Sequence, residues 1–216
     1  MIAALSIRPP ATPAPRPVEA MRLVEGRGIE GDRHADLLSP RQLLLAGAPV
    51  YSALALPALA LRENILLERD IVALPSGTLL QLGEQALVRL MFACEACGRL
   101  DLHGERLAAR IGNRRGTLAR VLRGGVIRVG DRVRDLGRQM PAWSDDWRER
   151  IVQVLDAAPP DTVIEYAQLA RLAGIQPTYC RAFPGMLRKL GPAYAARAIA
   201  ARATSPLPRW DGAGLF

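Results

Sequence analysis

Gly77-Thr78-Leu79-Leu80-Gln81-Leu82-Gly83 and, after Glu84-Gln85, Ala86-Leu87-Val88-Arg89-Leu90 decide the fold class of this chain. Both are short apolar runs bounded by turn residues, and the Gly83-Glu84 turn between them predicts a β-hairpin. The same texture extends in both directions. Upstream, Ala3-Ala4-Leu5-Ser6-Ile7 reads as a strand, a proline-rich connection follows from Pro9 to Pro17, and Val18 to Val24 is extended up to Gly26 and Gly28. Downstream, Gly124-Gly125 introduces Val126-Ile127-Arg128-Val129, and Gly130-Asp131 turns into Arg132-Val133. Helices are expected between Arg41 and Ala48 and from about Leu107 to Val121. Many short strands with glycine turns and few helices predict a mostly β barrel over residues 1–140.

The pattern changes at Pro141, which places a domain boundary within 138–143. Ser144 is a suitable N-cap, with Asp145 and Asp146 at the positive end of a helix dipole. Trp147, Ile151, Val154 and Leu155 recur at helical spacing until Pro159-Pro160. A second helix is expected from about Glu165 to Ala173, closed by Gly174. Pro177 opens a third that carries Arg181, Arg188 and Lys189. Short helices joined by a glycine-containing turn outline a small helix-turn-helix-like domain over residues 141–216, so the class is α+β overall. The tail from Pro206 to Phe216 keeps large apolar groups and is expected to dock back on the folded body.

Composition narrows the functional classes. Half of the 216 residues are hydrophobic, which suits an ordinary core, and only 5% are aromatic, so base-stacking platforms must be sparse. The net charge of +8 fits either a soluble surface or the binding of anions. From Tyr166 to Arg209 there are seven basic residues and no acidic one. Such a face is the electrostatic footprint of nucleic-acid binding; the alternative is a helical accessory domain that packs on the barrel and covers its cleft. The longest apolar stretch, Leu43 to Leu61, is interrupted by Gly47, Pro49 and Pro57, against a membrane span. Met1 to Ala14 reads as no secretory signal, and three cysteines form no disulfide framework. A cytoplasmic location is expected.

The residues that carry chemistry are Gly28-Ile29-Glu30-Gly31-Asp32-Arg33-His34, Arg62-Glu63-Asn64-Ile65, Cys94-Glu95-Ala96-Cys97, and Arg115-Gly116 with Gly124-Gly125. In this order and spacing they resemble the MOSC family, named for the C-terminal domain of molybdenum cofactor sulfurase, over residues 1 to about 136. The resemblance implies a β-barrel with a positively lined cleft for the phosphorylated pterin of the molybdenum cofactor. It also implies that Cys97 binds molybdenum or carries sulfur, acting as sulfur carrier or in reduction of N-hydroxylated substrates, with a redox or sulfur-donor protein as partner. The residue chemistry agrees. A thiolate is a soft ligand favoured by neighbouring guanidinium groups. Arg99 is two residues away, and Arg33, Arg62 and Arg115 can converge on it with forks suited to a phosphate. Asn64 can both donate to and accept from a pterin edge.

Other readings stand beside these. Cys94-x-x-Cys97 could be half a zinc site, needing distant partners among Cys180 and two histidines. A thioredoxin-like role lacks its βαβ setting. Cys94 reads as a buried strand residue, His34 as a turn hydrogen-bonder or a catalytic acid, and Arg62 as a ligand or a surface partner of Glu63 or Glu68.

The stretch from Pro160 to Ala170, with Gly174 and then Arg181, resembles the DNA-binding domain of alkylguanine alkyltransferases and alkyltransferase-like proteins. The resemblance implies that Tyr166 helps rotate a phosphate and that Arg181 fills the gap left by a flipped base. Pro192-Ala193-Tyr194 places alanine where that family has its nucleophile, so no alkyl transfer is expected. Glu165 adds a negative charge beside Tyr166, and Pro184 should kink or end the recognition helix. The alternative functional class is therefore a non-enzymatic DNA-binding sensor of modified bases, with nucleic acid or a nucleobase as partner.

Overall fold

The computed structural model of the chain describes residues 1–12 and 14–216, so the connection from Pro9 to Pro17 lies partly outside the described residues. The chain divides into two compact units, Met1–Leu37 with Arg41–Ala142, and Leu38–Pro40 with Trp143–Phe216.

The first unit contains β1 (Ile2–Ile7), β2 (Arg16–Val18), β3 (Ala20–Val24), β4 (Gly28–Ile29), β5 (Leu43–Gly47), α1 (Ala48–Leu54), β6 (Ile65–Leu67), β7 (Thr78–Leu82), β8 (Ala86–Ala93), α2 (Leu107–Ile111), β9 (Thr117–Arg123), β10 (Gly125–Arg128) and β11 (Val133–Arg138). The hairpin that set the fold class is β7–β8, with Leu80 opposite Val88 and Leu82 opposite Ala86. Gly83 supplies the left-handed turn residue, at φ +61°. Alternate residues of both strands enter one apolar core with Leu43, Leu45, Ala119 and Val121. Eight strands form a sheet in the order β11-β7-β8-β9-β5-β6-β1-β2, and β10-β3-β4 make a second, smaller sheet. The expected barrel is thus a curled half-barrel. Among the described residues its end strands, β11 and β2, do not pair with each other, and the turn between β10 and β11 bonds to β1 instead. Ile2 N–H donates to the Asp131 carbonyl at 2.9 Å, and Gly130 N–H to the Ile2 carbonyl at 2.9 Å.

Two expected helices take another form. The segment Arg41–Ala48 is mostly β5, buried at all five positions. A run apolar at every residue suits a central strand covered on both faces, and β5 lies between β6 and β9. The helix starts one step later, as α1, with Pro49 in its first turn. The expected helix Leu107–Val121 lasts five residues, then tightens into a 3₁₀ turn, Gly112–Arg115, before β9. Gly116 allows that change. It sits at φ +128°, and a Cβ there would run into the Leu45 carbonyl oxygen. A second small core of Ala46, Val50, Leu61, Leu100, Leu107 and Ile111 supports the helical connection between β8 and β9.

The second unit contains α3 (Trp147–Ala157), β12 (Ile164–Glu165), α4 (Tyr166–Leu172), α5 (Phe183–Leu190), α6 (Pro192–Arg197) and β13 (Ala198–Ile199), which returns parallel to β12. Asp146, rather than Ser144, caps α3, its side chain accepting from Arg148 N–H at 2.7 Å. Ser144 Oγ instead accepts from Asp146 N–H at 3.0 Å and donates to Glu149 at 2.6 Å. Gly174, at φ +65°, closes the turn after α4. The helix expected from Pro177 is two pieces, a 3₁₀ turn Pro177–Ala182 and then α5, with Pro184 accommodated in its first turn. Arg150 is 2% exposed and ties three carbonyls together: Ala173 at 2.8 Å, and Ser144 and Asp145 at 2.9 Å. The tail packs as expected, with Trp210 buried and Phe216 stacked on Trp143 at 5.4 Å. Among the described residues no helix is long and apolar enough to cross a membrane.

Candidate functional site

The motifs Gly28–His34 and Arg62–Ile65 are joined by a buried polar clasp in the first unit. The Asp32 carboxylate accepts from Arg8 N–H at 2.8 Å and Asn64 Nδ2 at 3.0 Å, and from His34 N–H at 2.8 Å. His34 Nδ1 lies 3.0 Å from the same carboxylate. Asn64 Oδ1 accepts from Arg8 Nη2 at 2.6 Å and Leu44 N–H at 3.0 Å, while its Nδ2 also donates to the Ser6 carbonyl at 3.2 Å. Burial alone would raise the Asp32 carboxyl. The His34 side chain, the Arg8 charge and the backbone donors outweigh it and hold Asp32 at about 2. Behind the clasp, Tyr51 donates to the buried Glu63 at 2.6 Å; burial pushes Glu63 upward, opposed by that hydrogen bond.

The thiol sits where β8 runs out. Cys94 is 3% exposed, its N–H bonded to the Gly116 carbonyl at 2.8 Å. Cys97 is half-buried and precedes a 3₁₀ turn, Gly98–His103. Arg115, at the end of the turn before β9, donates to the Glu95 carbonyl and places Nη1 3.5 Å from Cys97 Sγ. Arg115 Nε is buried without a protein partner. Arg62 is held in the left-handed region at φ +61°, a conformation that costs roughly 1–3 kcal/mol and clusters at functional sites. Burial and then the charges of Arg99, Arg33 and Arg115 push the Arg62 guanidinium below the usual arginine range, with Cys97 acting the other way. Four arginines thus share one field with one accessible sulfur.

Of the residues singled out in the sequence, Arg99, Arg33, Arg115 and Cys97 all act on the charge of Arg62. His34 faces Asp32 with 40% of its side chain exposed. Asn64, expected at a pterin edge, is wholly buried, and its amide is engaged by protein partners on both atoms. Arg8 and the Glu63–Tyr51 pair were missed. In the sequence Arg8 only interrupts an apolar run, and nothing local says that it turns inward to a carboxylate. Among the described residues no three His, Cys, Asp or Glu side chains gather to hold a bare metal ion, so the zinc half-site finds no partners there.

In the second unit, Tyr166 is half-buried with its ring edge-on to Phe183 at 5.9 Å. Arg181 is exposed at the end of the 3₁₀ turn. Neither a hydrogen bond nor an ion pair joins the two. Glu165 is paired with Arg209, and Cys180 Sγ donates to the Tyr166 carbonyl at 3.4 Å.

Comparison with known proteins bears on the first unit most directly. Among solved structures, the YUAD protein of Bacillus subtilis is similar in fold, with a TM-score of 0.54 at 16% identity over 61% of this chain and 92% of that one. YiiM of Geobacillus stearothermophilus reaches a TM-score of 0.54 at 18% identity, over 87% of this chain and 98% of that one. Both likenesses are in fold. No curated protein matches the sequence. The family model of the MOSC domain matches residues 36–134, which begin just past His34 and include Arg62, Cys97 and Arg115. Over residues 36–134, then, this chain is similar to a MOSC domain.

Proposed function

We propose that the first unit binds the molybdenum cofactor, with Cys97 as the protein's sulfur ligand and the surrounding arginines holding the phosphate. One observation carries this reading: Cys97 Sγ is half-buried 3.5 Å from Arg115 Nη1, in the field that Arg115 shares with Arg33, Arg62 and Arg99. The residues fit the group. A thiol suits a soft metal, planar guanidinium forks suit a phosphate, and the buried Nε of Arg115 has a donor to offer. The cofactor, when bound, supplies the redox or sulfur-transfer chemistry.

The chain's own groups do the rest. Arg115 keeps Nη1 3.5 Å from Cys97 Sγ and, by donating to the Glu95 carbonyl, fixes the loop that carries the thiol. The clasp of Arg8, Asp32 and Asn64 holds the two motif loops so that Arg33 and Arg62 stay on the thiol side. Sulfur transfer and the reduction of an N-hydroxylated substrate use the same thiol, and a protein donating sulfur or electrons is the corresponding partner. Metal analysis of the full chain purified from a molybdenum-replete host tests the reading. Wild type should retain molybdenum, and Cys97→Ser and Arg115→Met should each retain at least about tenfold less, the factor that loss of a supporting contact typically costs. Wild type without molybdenum, or both variants with undiminished metal, would overturn it.

A further inference from the structure

The turn ahead of α2 and the helix itself border a surface cavity of about 400 Å³, lined by Glu105, Arg106, Ala109 and Arg110. The backbone around it is fixed from below. Leu107 and Ile111 are buried in the second small core. Asp101 accepts from Ala108 N–H at 2.8 Å, and Arg114 Nη2 donates to the Arg110 carbonyl at 2.8 Å. The charged lining groups stay out of this network. Among the described residues no hydrogen bond or ion pair engages the side chains of Glu105, Arg106 or Arg110. Ala109, the smallest of the four, leaves room between them.

Spacing explains why these charges do not satisfy one another. Glu105 and Arg106 are adjacent in sequence, and adjacent positions on a helical turn do not face each other. Arg106 and Arg110 are four apart, where like charges meet and repel. The cavity falls within the range of small-molecule sites, roughly 300–1,000 Å³, and exceeds what a bare ion fills. Guanidinium forks take a carboxylate, and a carboxylate takes an ammonium group. A bare anion would meet the Glu105 charge, and a bare cation would meet two arginines. A ligand with both charges on neighbouring atoms satisfies all three side chains.

We propose that this cavity binds a small zwitterion of the α-amino-acid type, with Arg106 and Arg110 on its carboxylate and Glu105 on its ammonium group. The site is independent of what Cys97 binds.

Calorimetric titration of the full chain tests it with three probes: norleucine, hexanoate, which lacks the amine, and pentylamine, which lacks the carboxylate. Norleucine should bind saturably, and each half-probe should bind at least about tenfold more weakly, since a lost charged hydrogen bond typically costs that much. Arg110→Gln should weaken norleucine and hexanoate alike by about tenfold. Glu105→Gln should weaken norleucine by about tenfold and leave hexanoate unchanged or tighter. Both residues are exposed, so the variants should unfold at the wild-type temperature. Arg115→Met, in the thiol cluster, should bind norleucine as wild type does. No saturable binding of norleucine to wild type would overturn the proposal, as would hexanoate binding equally well. Norleucine binding lost in Arg115→Met but kept in Arg110→Gln would assign the ligand to the thiol cluster and overturn it too.

Discussion

The clasp and the thiol rim are built from the same two motifs and use their polar groups in opposite ways. Asp32 and Asn64 point inward, where each polar atom meets a protein partner. Arg33 and Arg62, one and two residues away in sequence, belong to a field of like charges around Cys97. The inward carboxylate and amide each meet protein partners; the outward arginines lie in one another's field. The contrast teaches that one motif can carry both a structural and a chemical residue close in sequence, and that the charge of the surroundings tells them apart. A satisfied buried network contributes stability, whereas gathered like charges favour an anion.

The sharpest way to break that contrast is Asn64→Leu. The substitution removes one partner each from buried groups of Arg8, Asp32, Leu44 and Ser6, so a loss of about 3–5 kcal/mol is expected in urea unfolding. A loss below about 1 kcal/mol, the ordinary cost of a point change, would show that the clasp is not the organising element. A smaller effect is expected from acid. Asp32 is held at about 2 against an ordinary 3.8, a difference of about 1.8 that corresponds to roughly 2 kcal/mol. Because the folded value is the lower one, this contribution is complete above about pH 4 and is lost as pH falls toward 2. Stability measured from pH 5 to 2 should fall less steeply in Asp32→Asn than in wild type; parallel curves would remove Asp32 from the account. The smallest effect belongs to the rim. Cys97→Ser should change stability by less than about 0.5 kcal/mol, as surface changes do, while abolishing the fastest alkylation by iodoacetamide. Cys94 is buried and burial pushes the Cys180 thiol up, so neither should replace it. Equal labelling of all three cysteines in wild type would contradict the assignment.

The legible parts of the fold were those with a local cause. The β7–β8 hairpin follows from two apolar runs around Gly83, and α3 from helical spacing that ends before Pro159. Where partners are distant, the reading failed. Leu43–Gly47 looks helical in isolation and is a strand because β6 and β9 flank it. Leu107–Val121 has helical composition, but Gly112 and Gly116 break it to let the chain approach Leu45. In the site, Cys97 and its arginines were chosen because their motifs resemble those of the MOSC family, a choice with which the residue chemistry agrees. Asn64 could not be placed, because the same amide suits a pterin edge or a buried carboxylate, and only Arg8 and Asp32 decide between them.

The sheet order has a consequence for how the chain comes off the ribosome. Strand β1 emerges well before its partner, because its ladder with β6 needs residues 65–67. At about 5–20 residues per second, that partner follows roughly 3–12 s later. The β7–β8 hairpin, by contrast, closes within microseconds of leaving the tunnel. The apolar segment Ile2–Ile7 therefore waits with only the short β2 beside it, and Ala20–Val24 waits longer still, for β10, beside the two-residue β4. These two strands, while their partners are still being made, are the part of this molecule most in need of a chaperone.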